Sequence, residues 1–437
     1  MSIAQEVGAL PAGRVHPQSV GASSPTDCLS PDDVAESRDP NPGREWDPQS
    51  TADDYMTVEL LCAALARIRL DRQQADSGQL RSAELSGLLP RAWRDARGRL
   101  WWKAQAQAQA LGSEWPGDDL ELFDWCRRPL GSWPVRLSLA DGDLDAVLLE
   151  GDELSEFAEQ AADLVRHADV EAELVQNETF AALMSCARMN GADEQAVQRN
   201  YCCLRRLLID RPVLSDRDVQ ALTREFPKTD ADSDSFLAKF VRTAYVLHPV
   251  ESPGKIRLWR CRKCRNTVDE GAASCGTPGC EGEPERYELT CLGGYWTQHR
   301  ATRQFFHDPG LLEGRLLDRL AELPPDQVRT EPWPCLDAWD GALTFEPLSP
   351  GGEGECWAID AKDCASPTLL ARGFRIDLRV SARRRIIVVP MHRLKTPGYL
   401  ADLERELQGR VTGVEVLDEK AFLRQVAVRA SRAGGTR

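Results

Sequence analysis

The sequence predicts a multidomain chain of the α plus α/β class, with a mainly helical N-terminal region, a zinc knuckle and a C-terminal mixed sheet flanked by helices. Three observations predict it. Apolar residues recur every three to four positions over 151–245. Four cysteines fall into two close pairs between residues 261 and 280. From about residue 308, helical stretches alternate with short apolar runs in the order α-β-β-α-β-α-β, which implies a small α/β domain.

The 437 residues leave room for two or three domains. No apolar run approaches the roughly 18–20 residues that cross a bilayer, and MSIAQEVGALPAGRVHPQSV lacks the basic flank and apolar core of a secretory signal. The expectation is a cytoplasmic protein with no membrane partner. The net charge of −15 is unevenly spread, at −16 over residues 1–250 and +1 over residues 251–437. The acidic half repels nucleic acid and suits a protein partner.

Residues 1–52 are rich in Pro, Ser, Gly and Asp and read as a disordered leader. ADDYMTVELLCAALARIRLDRQ then has helical spacing without internal Pro or Gly. A tryptophan-rich stretch follows, with Trp93, Trp101, Trp102, Trp115, Trp125 and Trp133, whose plain reading is core packing. LSEFAEQAADLVRHADVEAEL and QAVQRNYCCLRRLLID read as helices, with Cys202 and Cys203 as core residues. Ser215 and Asp218 resemble a capping box ahead of VQALTREF. Residues 53–250 carry no catalytic constellation and read as a helical adaptor.

The knuckle, 256–290, holds Cys261, Cys264, Cys275 and Cys280 as C-x2-C, ten residues, then C-x4-C. Two such pairs can meet tetrahedrally around one structural zinc, which leaves no open coordination position. Cys291, His299 and His307 lie downstream as substitute ligands. Arg257, Arg260, Arg262, Lys263 and Arg265 crowd the first pair, as phosphate contacts or a solvated rim.

The domain over 308–430 contains the most informative pattern. Asp340 opens the apolar run GALTF, Asp360 closes CWAID, and Lys362 follows two residues on, toward the same face of an extended chain. Two carboxylates at strand ends can hold a divalent cation such as Mg²⁺, and a lysine beside them can position water or stabilise phosphate charge. Asp337 rivals Asp340 as first ligand. Glu313, on the preceding helix, is a further candidate ligand, with a solvated helix residue as the simpler reading. Residues 372–395 hold Arg372, Arg375, Arg379, Arg383, Arg384, Arg385, Arg393 and Lys395 against Asp377 alone. This cluster suits a phosphate backbone, with Arg383, Arg384, Arg385, Arg393 and Lys395 as the chosen nucleic-acid contacts and His392 as a lesser one.

PWPCLDAWDGALTF, CWAIDAKDCASPTLLA and RIIVVPMHRLKTPGYLADLERELQG together resemble the PD-(D/E)xK nucleases encoded beside PIWI-RE proteins. The resemblance covers about residues 330–425, and AIDAKDCASP is its most specific piece. It implies a restriction-endonuclease-like domain, preceded by the region called domain Y, to which the helical part corresponds. Asp340 and Asp360 match the acidic ligands and Lys362 the motif lysine. Trp339, not proline, precedes Asp340, and Pro334 lies six residues back, which departs from the superfamily pattern. The resemblance further implies Mg²⁺-dependent cleavage of invading DNA, with a PIWI-like protein and a DinG-type helicase as partners. A non-catalytic nucleic-acid-binding scaffold and an RNA-directed nuclease are the alternatives, and homodimer formation is left open.

Overall fold

The computed structural model describes residues 48–76, 89–111, 118–165, 169–231, 233–347 and 354–434. Most of the expected leader, residues 1–47, lies outside the described residues, and residues 48–52 form the first turn and a half of a helix.

Helices α1 (Pro48–Asp76), α2 (Arg91–Leu111), α3 (Asp119–Cys126) and α4 (Glu156–Asp163) enclose one core. On α2, Trp93, Ala96, Leu100 and Ala104 form the buried stripe that helical periodicity requires. Trp101 and Trp102 fall off that stripe and are exposed, so core packing holds for Trp93, Trp125 and Trp133 but not for those two. Trp115 lies outside the described residues.

A second core lies under α5 (Val170–Asn190), α6 (Glu194–Asp210), α7 (Asp216–Glu225) and α8 (Phe236–Ala244). The capping box at Ser215 and Asp218 is present at the start of α7. Strands β1 (Val213–Ser215), β2 (Tyr245–Pro249) and β5 (Gly294–Gln298) form a small sheet that helical periodicity does not reveal. Between them, β3 (Gly254–Cys261) and β4 (Pro284–Cys291) make a long antiparallel hairpin that carries the cysteine module at its end.

The C-terminal part begins with α9 (Asp308–Ala321). It continues through β6 (Val328–Pro332), β7 (Gly341–Phe345), β8 (Glu355–Ala361), α10 (Pro367–Gly373), β9 (Arg384–Val389), α11 (Tyr399–Gln408), β10 (Val414–Asp418) and α12 (Glu419–Gly434). The sheet order is β10-β9-β8-β7-β6, parallel among β8, β9 and β10 and antiparallel from β6 to β8. The expected mixed sheet is therefore present, extended by edge strand β6 and by α12. Alternation sorts the strand residues. Trp357, Ile359, Ile386 and Val388 pack with α9 and α12, while Ala358, Ile387 and Val389 pack with α10 and α11.

The helical and sheet parts share cores. Leu369 of α10 belongs to the first core, and Phe306, Leu317 and Trp333 belong to the second. Helix α9 crosses α6 closely at Gly310, where an added Cβ would lie 2.5 Å from the buried Ile209 side chain. Gly310 sits in the first turn of α9, where helix propensity gains little, so overpacking decides the effect of enlarging it. Gly310→Ala is expected to cost about 1–3 kcal/mol, read as a lower urea midpoint.

Candidate functional site

Between β6 and β7 the chain makes a turn that few sequences adopt. Trp333, Cys335, Leu336 and Asp337 all have positive φ, at 43°, 53°, 57° and 77°. None is glycine, and each costs of the order of 1–2 kcal/mol in a left-handed conformation. Side chains from outside the turn hold it there. Gln198 on α6 donates to the Pro332 and Trp333 carbonyls at 3.1 and 2.8 Å, and its own oxygen accepts from the Leu336 amide at 3.2 Å. The Trp333 indole donates to Glu313 at 2.8 Å, and Arg379 donates to the Cys335 carbonyl at 3.0 Å.

The turn delivers Asp340 to the mouth of the sheet. The antiparallel ladder between β7 and β8 ends at Gly341 opposite Ile359. The Asp340 carboxylate extends it by accepting the next amide, that of Ala361, at 2.6 Å. Gly341 is tightly packed beside it, and an added Cβ would lie 3.0 Å from the Ile359 side chain, which would have to shift. Asp360 and Lys362 point to one side, as the extended spacing predicts, and their charged groups lie 2.6 Å apart. The Lys362 amide continues the parallel ladder to the Val388 carbonyl at 3.0 Å.

Asp340, Asp360 and Lys362 line one cleft of about 700 Å³ together with Glu313, Asp337, Arg205 and Arg375. Asp337 and Asp340 both reach it, so the rivals for first ligand stand side by side. Glu313 is not a solvated helix residue. It is 5% exposed, and Arg205 donates to both its oxygens at 3.0 Å. Burial pushes the Asp340 carboxyl well above the usual range, and the charges of Glu313 and Asp360 add to it against the pull of Lys362. Burial opposes the Lys362 ammonium, but Asp360 and Asp340 outweigh it and hold the lysine charged well beyond the ordinary range.

The basic cluster does not face this cleft as a unit. Arg393 is turned inward, 9% exposed, and paired with Asp363 and Glu156. Arg384 lies over Trp357 and pairs with Glu415, and Arg372 pairs with Glu59. Arg383 and Arg384 line a different groove, at the opposite end of β8 from Asp360. Arg385 is half-buried, with its Nε unpartnered. Lys395 is exposed and 3.4 Å from Glu281. His392 hydrogen-bonds Asp363 at 2.9 Å.

Arg205 and Gln198 are site-building residues that sequence reading missed. Their signal was faint, namely a charged residue on the apolar stripe Tyr201, Leu204, Leu208 of α6.

The four knuckle sulfurs lie within 4.8 Å of one another, with Cys261 and Cys280 at 3.6 Å and Cys264 and Cys275 at 3.8 Å. A tetrahedral zinc with 2.3 Å bonds sets its sulfurs about 3.8 Å apart, so the cluster fits that metal. Against the burial that would raise it, the amides of Cys264 and Lys263 hold the Cys261 thiol down to about 7. Among the described residues, Cys291, His299 and His307 do not join the cluster. His299 caps a helical turn, and His307 is buried against the Leu208 and Ile209 backbone of α6. The knuckle is docked to the sheet domain at Gly279, whose φ of +63° suits glycine and whose added Cβ would lie 2.4 Å from the His392 ring.

Residues 310–434 match a family model described as the REase associating with pPIWI_RE, and residues 89–215 match one described as the pPIWI_RE three-gene island domain Y. The chain is a PIWI-RE island protein. No curated protein and no solved structure gives a significant match.

In this PIWI-RE island protein the cleft draws on both matched regions. The domain Y span supplies Gln198 and Arg205. It also supplies Gln160, which accepts from the Ala365 amide at 2.7 Å, and Asp143, which accepts from Ser366 at 2.9 Å. The loop following Lys362 is thereby held by the same matched region as the left-handed turn. No helix among the described residues is long and apolar enough to cross a membrane.

Two outcomes are expected. The folded protein holds the Asp340 proton more tightly than the unfolded chain, whose carboxyl titrates near about 3.9. The stability of protein free of divalent cation therefore falls as pH rises from there toward the raised value. Asp340→Asn, which keeps an oxygen for the Ala361 amide, should flatten that slope in urea midpoints measured across the range. Chelating the knuckle metal should abolish amide-exchange protection over 261–280 and raise exchange at 391–395, while leaving 384–389 protected.

Proposed function

We propose that this PIWI-RE island protein is a metal-dependent DNA endonuclease. The observation that carries this reading is the meeting of Asp340, Asp360 and Lys362 in one open cleft. The cleft also holds Glu313, Asp337 and Asp377, so five carboxylates line it with Arg205, Lys362 and Arg375, and of these Asp377 is paired with Arg379. Burial first, and then the nearby charges of Glu313 and Asp360, raise the Asp340 carboxyl, and carboxylates clustered in this way are the donors a hard divalent cation takes.

Asp340 and Asp360 would hold Mg²⁺. When bound, the ion supplies Lewis-acid polarisation of a phosphate and lowers the pKa of a coordinated water. Asp360 also orients the Lys362 ammonium and keeps it charged. Lys362 therefore acts as a hydrogen-bond donor toward developing phosphate charge and toward the attacking water, and not as a general base. Gln198 and Glu313 keep the turn that bears Asp337 and Asp340 in place, so the acids are positioned before substrate arrives.

Belonging to a PIWI-RE island supports joint action with the other island proteins. We place a PIWI-like protein and a DinG-type helicase there, with invading DNA as the target. The acidic N-terminal half is the surface offered to them.

Supercoiled plasmid incubated with the zinc-loaded protein and Mg²⁺ tests this. Wild type should nick or linearise it. Lys362→Ala should slow the reaction by the order of 10²–10³-fold, as for loss of one preorganised donor, and Asp360→Ala should abolish it. Equal cleavage by wild type and Asp360→Ala would refute the assignment and leave the non-catalytic scaffold.

A further inference from the structure

We infer that the groove between α12 and the starts of β8 and β9 is a second nucleic-acid surface, which grips the phosphate backbone of a duplex away from the acidic cleft. The groove measures about 640 Å³. Five arginines line it, and two of them serve the fold. Arg384 lies 4.2 Å over the Trp357 ring and pairs with Glu415. Arg429 is buried and pairs with Glu355 at 2.9 Å. The groove's one acid, Glu355, is thereby neutralised, and it also accepts from the Trp357 indole.

Arg383, Arg424 and Arg432 remain. All three are exposed, and among the described residues none makes an ion pair or a side-chain hydrogen bond. Three exposed arginines, set against one acid that Arg429 already pairs, on one groove of a chain with net charge −15 mark an anion surface. Arg424 and Arg432 stand eight residues apart on α12, about 12 Å along the helix. That distance lets the two side chains reach separate phosphates of one strand.

The floor between them is open and neutral, formed by Ala421 and Val428. A peptide would need a deeper apolar pocket to anchor it, whereas evenly repeated phosphates need only separated forks of donors. Asp360 lies three residues beyond Trp357 on β8, about 10 Å away. It also belongs to the opposite face of the sheet, so the strand gripped here is a flanking one. The surface stands whether or not the cleft cuts DNA.

Fluorescence anisotropy with a labelled DNA duplex tests it, using the full zinc-loaded chain carrying Asp360→Ala so that nothing is cleaved. Adding Arg383→Glu, Arg424→Glu and Arg432→Glu together should weaken binding by the order of tenfold or more at moderate salt. It should also make the slope of log affinity against log salt shallower by about 2–3. The corresponding triple Lys variant should keep the slope. Unaltered affinity and slope in the Glu variant overturn the inference, as does failure of the parent chain to bind duplex at low salt. Loss of polyglutamate binding with duplex binding unchanged would make the groove a peptide site and overturn it equally.

Discussion

The hydrogen bond from the Ala361 amide to the Asp340 carboxylate fixes the geometry on which the cleft depends. It joins the turn that precedes β7 to the end of β8, two points twenty-one residues apart. With that bond made, Asp340 cannot swing into solvent, and the charges of Asp360 and Lys362 on the next strand positions are set against it. The cost is a carboxylate out of water among other carboxylates, which burial alone makes unfavourable. Lys362 offsets part of that cost from inside the cleft, and Arg205 neutralises Glu313 behind it.

A second dependence runs across the chain. The helices that precede the sheet do more than adjoin it. Gln198 fixes the left-handed turn, and Gln160 and Asp143 fix the loop after Lys362. Side chains of the sheet part complete the hydrophobic cores of the helical part. The domain Y region thus works as a brace for the acids, whatever else it binds. The knuckle adds a third contact through Gly279 and His392, whose ring also hydrogen-bonds the residue after Lys362.

Much of this was legible in the sequence, and the boundary of legibility has a physical cause. The pair Asp360 and Lys362 could be read because strand periodicity alone puts them on one side. The cysteine cluster could be read because its spacing is local. The strands β7, β8, β9 and β10 were visible as apolar runs, whereas β6 (VRTEP) is a polar edge strand with no such run. The burial of Glu313 could not be read, because its partner Arg205 is more than a hundred residues away. The basic run 372–395 looked like one surface in sequence. The fold divides it, sending Arg393 inward, Arg372 to α1 and Arg383 to the far groove.

The left-handed turn sets two demands on one short segment against each other. Four non-glycine residues are kept in conformations that the isolated segment would leave, so glycine at the exposed Cys335, where no core packing is lost, would relax the backbone and make the protein harder to melt. The same relaxation would loosen the acids that the turn presents. Selection for heat resistance alone would therefore drive this segment toward a sturdier molecule with a blunter cleft.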